Sequence, residues 1–476
     1  MARVVVVGGG ISGLAAAYAL ARQAPRGTRV TVVDGASRIG GKLRVSEVAG
    51  RAVDEGAETF LARVPEGVEL ARAVGLGDEL VHPLTTKASV VVDGTAAPLP
   101  AGTVLGVPGD RAALRRSGVL TDEGLAAVAA DRSEPAPLGD PSVGQYVGRR
   151  LGREVVERLI DPLLGGVYAG RADGLSLRAT VPQLAAALDA RGGGKLVAAA
   201  KSVVDATPAG SAAAAPVFAS LDGGLGLLPE AVARACGAEI RLRLPIRRVE
   251  RTPTGFRLIG GPVRDPVTLV ADAIVVAAPA TKAAGLLADL APWAAHELAA
   301  MEYASVGLVT LAYPAAALSG LRGSGLLVAG TEGRPVKAVT YSSVKWAHLA
   351  GGDVAVLRAS VGRHQEARVL QHDDADLVRL VAGQVAALTG VRAVPVAARV
   401  TRWGGALPQY APGHLERVRR IRADVGRVPG LAVCGAAFDG VGVPACIRSG
   451  TAAAEQVLTH LRDWNRGRSS GRQAGA

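Results

Sequence analysis

The chain opens on an uncharged run, "VVVVGGGISGLAAAYALA", from Val4 to Ala21. Four successive valines predict a buried strand, and the alanine-rich stretch from Ser12 to Arg22 predicts a helix. The run is long enough to resemble a signal peptide or a short membrane span. Gly8, Gly9, Gly10 and Gly13 would weaken a membrane helix, and strand, glycine turn and helix account for it better. Nowhere else does the chain approach the roughly 20 apolar residues that a span requires. A soluble or peripheral protein without export is expected.

The period changes further along. "RVTVVD" reads as a second strand ending at Asp34, and "PEGVELARAVGLGDEL" as a short helix. "ASVVVDGTAAPLP" reads as a hairpin about Asp93-Gly94. From about residue 109 to 200 the apolar spacing is helical, as in "SVGQYVGRRLGREVVERLIDPLL". "RGGGK" (Arg191 to Lys195) and "DATPAGSAAAAP" (Asp205 to Pro216) are loop-like. "LVTLAYP", "AVTYSS" and "VAVLRASVG" suggest successive strands of an antiparallel sheet. Two later stretches return to the opening pattern. One is a helix and then a strand through Val249, followed by the strand "ADAIVVAAPA". The other is the strand "GLAVCG" and a helix from Val443, with Pro444 in its first turn.

These elements predict an α/β chain. A Rossmann-type nucleotide domain is assembled from residues 1–90, 218–285 and 401–465. A mainly helical insert (91–217) and an antiparallel sheet segment (286–400) interrupt it, and a disordered tail (466–476) follows. Composition narrows the partners. Lysine and arginine outnumber acids 54 to 42, a net charge of +12, but the excess is spread along the chain and aromatics are only 3%. That argues against a nucleic-acid surface. The three cysteines form no CxxC pair, and no Cys/His cluster has metal spacing, so no metal is expected and a reducing cytoplasm is the simplest compartment.

The chemistry begins at Gly8, Gly10 and Gly13, which make G-x-G-x-x-G around Gly9, Ile11 and Ser12. Between a strand and a helix, this pattern allows a tight turn, close backbone approach to a pyrophosphate, and helix N–H groups for the phosphates. Asp34 follows at the distance expected of an acid that binds adenosine ribose. "GASRIGGKLRV", with Gly35, Arg38, Gly40, Gly41 and Lys42, resembles the second fingerprint of the glutathione-reductase-like flavoproteins. In "VDEGAETFLAR", Gly56, Ala57, Glu58 and Thr59 match the stretch that such proteins place beside the flavin. Near the end, "CGAAFDGVGVPACIRSG" poses a question of thiol chemistry. Cys434 reads as a packed core residue. Cys446, in the first turn of a helix, is either packed or lowered in pKa by the dipole.

With these segments in place, the chain resembles the protoporphyrinogen/coproporphyrinogen oxidase family, most of all the Gram-positive type that acts on coproporphyrinogen III. The likeness runs nearly end to end. Its most particular pieces are "DPLLGGVYAGRADGLSLRATVPQL", "RWGGALPQYAPGHLERV" and "GVGVPACIRSG". It implies the fold of the flavin amine oxidases, with FAD as cofactor. It implies oxidation of a porphyrinogen to a porphyrin in three flavin turnovers, with O2 as acceptor and H2O2 as product. Val249, Trp403, Val441, Gly442 and Val443 join the FAD contacts by that pattern, and Leu163, Gly166 and Tyr168 face the tetrapyrrole. Arg63, Arg178 and Lys345 are candidates for its propionates. No catalytic base is identified, since the likeness leaves proton release to the macrocycle nitrogens. Ala445 and Arg448 stand where many relatives carry acids. Protoporphyrinogen IX as substrate, an amine oxidase or desaturase, and a non-catalytic tetrapyrrole carrier remain as alternatives. Peripheral contact with the inner face of the membrane and hand-over to a ferrochelatase stay open.

Overall fold

The computed structural model describes residues 1–206 and 216–473. The valine run Arg3–Val7 is the central strand of a five-stranded parallel sheet. The strands lie in the order Glu239–Arg241, Arg29–Val33, Arg3–Val7, Ala273–Val276 and Leu431–Val433, all paired parallel. Val4 and Val6 pack under the helices Ile11–Gln23 and Val443–Gln473. Val5 and Val7 face a second layer with Phe256, Leu287 and Val418. Because both faces are covered, the strand is apolar at every position from Val4 to Val7 instead of alternating.

The segment around Val249 differs from the sequence reading. Ile246–Thr252, Gly255–Gly260 and Val267–Ala271 form an antiparallel meander. The parallel strand is the shorter Ala273–Val276, and a helix begins at Ala280. The extra strand Val267–Ala271 has one face toward solvent, with Thr268 and Val270 exposed.

A seven-stranded sheet forms the other half. Its order is Ala397–Pro408, Tyr303–Pro314, Val354–Val361, Val336–Thr340, Gly325–Val328, Ala88–Val92 and Thr95–Pro98. The expected hairpin turns at Asp93 and Gly94, with φ of 50° and 72° at these two residues, as a primed turn requires. It joins this sheet through a parallel pairing of Ala88–Val92 with Gly325–Val328. The sheet therefore crosses the expected boundaries at residues 91 and 400, and Trp403 lies on one of its strands. One face packs on the helix Asp374–Thr389. From the other face, Val90, Val92 and Ala329 enter the core of the helical insert, beside Leu159, Ile160 and Leu164.

In the insert, Asp110, Thr121, Ser142 and Ser176 each cap a helix N-terminus with a side-chain oxygen. The loop expected over 205–216 falls almost wholly outside the described residues. The last helix runs through Gln473, so backbone from Arg466 to Gln473 is helical where disorder was expected. A helix already docked along the parallel sheet extends with little cost where no proline interrupts it. Residues 474–476 lie outside the described chain. Among the described residues, no helix is long and apolar enough to cross a membrane.

Candidate active site

The glycines of the opening motif have separate duties. A Cβ on Gly8, at φ +120°, would stand 2.5 Å from the Ala277 carbonyl oxygen, and one on Gly13 would stand 1.9 Å from that of Gly8. One on Gly10 would meet nothing within 4 Å. Gly8 and Gly13 therefore close the turn, and Gly10 leaves its outer side open to a ligand. The second fingerprint docks directly on the first. Gly40 N–H donates to the Gly9 carbonyl at 2.8 Å, and a Cβ on Gly41 would come within 3.3 Å of Gly10 Cα. A Cβ on Gly56 would stand only 2.0 Å from the Lys42 carbonyl oxygen. Three distant glycine segments thus stack backbone on backbone. The helix Ile11–Gln23 starts at Gly10 without a side-chain cap, so its first N–H groups suit a phosphate. A Cβ on Gly450 would meet Ser12 carbonyl oxygen at 2.1 Å, so the closing helix crosses the first one here.

Asp34 accepts from Gly9 N–H at 2.6 Å and from Ala36 N–H at 2.7 Å. It holds the glycine turn, and its remaining lone pairs serve ribose hydroxyls. Gly35 follows it, tight against Pro245. The Arg38 guanidinium donates to the carbonyls of Ile39 and Gly41, at 3.0 Å each, and braces the second fingerprint. Burial draws the Lys42 ammonium down, and it makes no hydrogen bond or ion pair among the described residues. Both cysteines in question are buried and unpaired. Burial pushes the Cys446 thiol up, with Ser12 and Lys42 acting against it, and pushes Cys434 up too. Neither has the low pKa of a redox thiol; the segment is a backbone cradle.

Beside it, Ala57 is exposed and Thr59 Oγ1 donates to the Ala219 carbonyl at 3.1 Å. Trp403 Nε1 donates to the Glu55 carbonyl at 2.6 Å, which fixes the indole against this strip. Val441 packs on the insert core, and Val443 joins Ile11 and Phe60. Space beside Gly442 is open apart from Pro444 at 3.9 Å. The Val249 side chain is buried with Val7 and Val33, so only its backbone is free to meet a cofactor.

The motif "PQYAPGH" is a clasp. Gln409 Nε2 donates to the Tyr168 carbonyl at 2.8 Å, at the end of the insert helix Asp161–Tyr168. The Tyr410 hydroxyl donates to the Ala436 carbonyl at 2.6 Å and accepts from Gly440 N–H at 2.8 Å. Its ring stacks on His414 at 3.8 Å, and His414 Nε2 lies 3.1 Å from the Phe438 carbonyl. Insert, seven-stranded sheet and the Gly440 loop are therefore locked together. Leu163 and Gly166 ride on the clasped helix. Gly166 is exposed, and Leu163 is half-buried. Tyr168 is buried, which pushes its phenol up to about 12.

The three cations proposed for propionates fare differently. Arg178 donates to the carbonyls of Gly139 and Pro137 and to both oxygens of Asp189, bracing a loop of the insert. The Lys345 ammonium lies 2.6 Å from buried Glu58 and is paired with it. Only Arg63 is exposed and makes no hydrogen bond or ion pair among the described residues. Two cations that sequence reasoning missed, Lys337 and Arg363, lie on the sheet beneath the clasped helix. The available signal was a lysine between apolar residues in the strand "VKAVT".

The glycine cradle, the capless helix and the free Lys42 fit a dinucleotide, and the chain belongs to the flavin-containing amine oxidoreductases. The family profile matches residues 11–458. It is thus an FAD-dependent oxidoreductase, as the sequence implied. Within the family it is 38% identical over 465 residues to the coproporphyrinogen III oxidase of Mycobacterium bovis, covering 96% of this chain and 97% of that protein. It is 32% identical over 471 residues to that of Bacillus subtilis, covering 96% and 98%. Among solved structures, one from Exiguobacterium sp. 255-15, described as a protoporphyrinogen oxidase, superposes with a TM-score of 0.84 at 32% identity and covers 96% and 99% of the two chains. Cyclohexylamine oxidase from Brevibacterium oxydans shares the fold, with a TM-score of 0.69 at 20% identity and coverage of 97% and 99%.

Proposed function

We propose that this protein oxidises coproporphyrinogen III to coproporphyrin III in haem biosynthesis, with O2 as final acceptor and H2O2 as product. The observation that carries the reading is its match, from end to end, to relatives with that activity in their names. FAD supplies the hydride acceptor that O2 reoxidises. The chain's own residues bind, orient and enclose. Gly8 to Gly13, Gly41 and Lys42 would hold the pyrophosphate, and Asp34 the ribose. Gly56 to Thr59, Trp403 and Val441 to Val443 would line the ring. The N-terminus of the closing helix favours negative charge on a reduced ring nearby. Leu163, Gly166 and Tyr168 would form the wall against the macrocycle. No base is assigned to His414, since burial pulls it down to about 4 and its Nε2 already serves Phe438. Proton loss falls to the macrocycle nitrogens.

A second substrate, protoporphyrinogen IX, is favoured by the Exiguobacterium structure. The test gives each porphyrinogen to the purified yellow protein in air and follows porphyrin fluorescence and peroxide. Faster turnover of the four-propionate substrate is expected, and a preference for protoporphyrinogen would overturn it. The same proposal includes work at the inner face of the membrane and delivery of product to a ferrochelatase. Sedimentation with anionic vesicles would check the membrane contact.

A further inference from the structure

We propose that Lys337 and Arg363 form a carboxylate-binding subsite on the sheet beneath the helix Asp161–Tyr168, and that it takes a propionate of the tetrapyrrole. The identity of the ligand rests on the function proposed above; the existence of an anion subsite does not.

Lys337 belongs to the strand Val336–Thr340, whose Val336 and Val339 lie in the core with the helix Asp374–Thr389. The register against Val354–Val361 shifts between Val336 and Ala338, which leaves Lys337 as the extra residue of a bulge. Bulges re-aim a side chain off the regular ladder and recur next to active sites. Lys337 is only 7% exposed, yet it makes no hydrogen bond or ion pair among the described residues. Burial, and Arg363 beside it, draw its ammonium down to about 7.

Arg363 stands two residues beyond the neighbouring strand. It is half-buried, and burial lowers its pKa as well. One N–H donates to the Val328 carbonyl at 3.3 Å, which orients the guanidinium and leaves other donors free. The nearby acids are engaged elsewhere. Glu366 is paired with Arg171, and Asp161 accepts from Ala172 N–H at 2.6 Å. Both cations lose hydration here; no acid acts on Lys337, and Glu366 and Asp161 offset only part of what burial costs Arg363, so the pair is a costly arrangement. A bound anion offsets that cost. A point-charge ammonium next to a planar guanidinium fork suits a carboxylate. The location fits too, because strands Gly325–Val328 and Val336–Thr340 both pack against Asp161–Tyr168. That helix carries the three residues expected to face the macrocycle.

The experiment uses the full, flavin-loaded chain as wild type, Lys337→Met and Lys337→Arg. Binding of coproporphyrin III and of its tetramethyl ester is measured by fluorescence titration. The ester keeps the macrocycle and removes the carboxylate charges. Lys337→Met should weaken binding of the acid at least tenfold and leave the ester unchanged, and Lys337→Arg should restore most of the loss. A folded, flavin-loaded Lys337→Met that binds the acid as tightly as wild type would overturn the subsite, as would equal losses for acid and ester. If Lys337→Met fails to fold, Lys337→Gln carries the same comparison. Turnover of coproporphyrinogen III by the same wild-type preparation is read separately. Absent turnover with the acid-specific loss intact would sink the oxidase reading and keep the subsite. Turnover without the acid-specific loss would do the reverse.

Discussion

Glu58→Gln isolates the electrostatics of the flavin-side strip. Glu58 lies 2.6 Å from Lys345 and 3.4 Å from Arg358, and all three side chains are 13% exposed or less. Burial alone would raise the carboxyl pKa, but Arg358 and Lys345 outweigh it and hold it at about 2, against an ordinary value of 4.5. A shift of that size corresponds to about 3 kcal/mol of folding stability at neutral pH. Because the folded value is depressed, this stability is complete above about pH 4.5 and disappears as the pH falls toward 2. Glu58→Gln should therefore cost about 3 kcal/mol at pH 7 and at pH 5, and less than half of that at pH 3. Urea unfolding reports it through tryptophan fluorescence, since the Trp346 ring lies 5.0 Å from the Lys345 ammonium. No loss at pH 7, or a loss that persists undiminished at pH 3, would refute an ionised Glu58 held between two cations.

Gly56→Ala should reduce bound flavin severalfold, judged by the ratio of flavin to protein absorbance, because the added methyl would collide with the Lys42 carbonyl. Tyr410→Phe deletes a hydroxyl with two hydrogen bonds and should cost about 1–3 kcal/mol in thermal or chemical unfolding. Arg178→Ala should lower stability and leave KM for the porphyrinogen unchanged; a raised KM would mark it as a substrate contact. Without porphyrin, wild type should gain stability over Lys337→Met as the pH rises from about 7 to 10.5. The folded lysine sits at about 7, below its unfolded value, so the unfolded chain binds the extra proton there.

The cofactor half was legible because its signals are local. Gly8, Gly10, Gly13 and Asp34 lie close together along a strand, a turn, a helix and a second strand, so the motif can be read locally even though Gly8 packs on distant Ala277. The substrate half depends on tertiary pairing. Arg178 and Lys345 looked free in the sequence because a charge does not disclose its partner: Asp189 occupies one and Glu58 the other. Lys337 was passed over because only the bulge reveals that it leaves the ladder. The sheet that crosses residue 91 was hidden for a similar reason, since the parallel partner of Ala88–Val92 lies more than two hundred residues away. The disorder expected after Arg466 followed composition, which says nothing about a helix continuing from an anchored stretch.

The parallel sheet has a consequence for biosynthesis. Its edge strand Leu431–Val433 pairs with Ala273–Val276, which in turn pairs with Arg3–Val7. The nucleotide cradle also leans on Gly450 through Ser12. A ribosome has therefore released nearly the whole chain before the first glycine turn gains its last support. Until then the strand with its four successive valines waits without its neighbours. Such non-local pairing slows folding and exposes sticky edges. Growth temperature, chaperone supply and flavin present during synthesis should thus govern the yield of this protein more than the resting stability of its finished form.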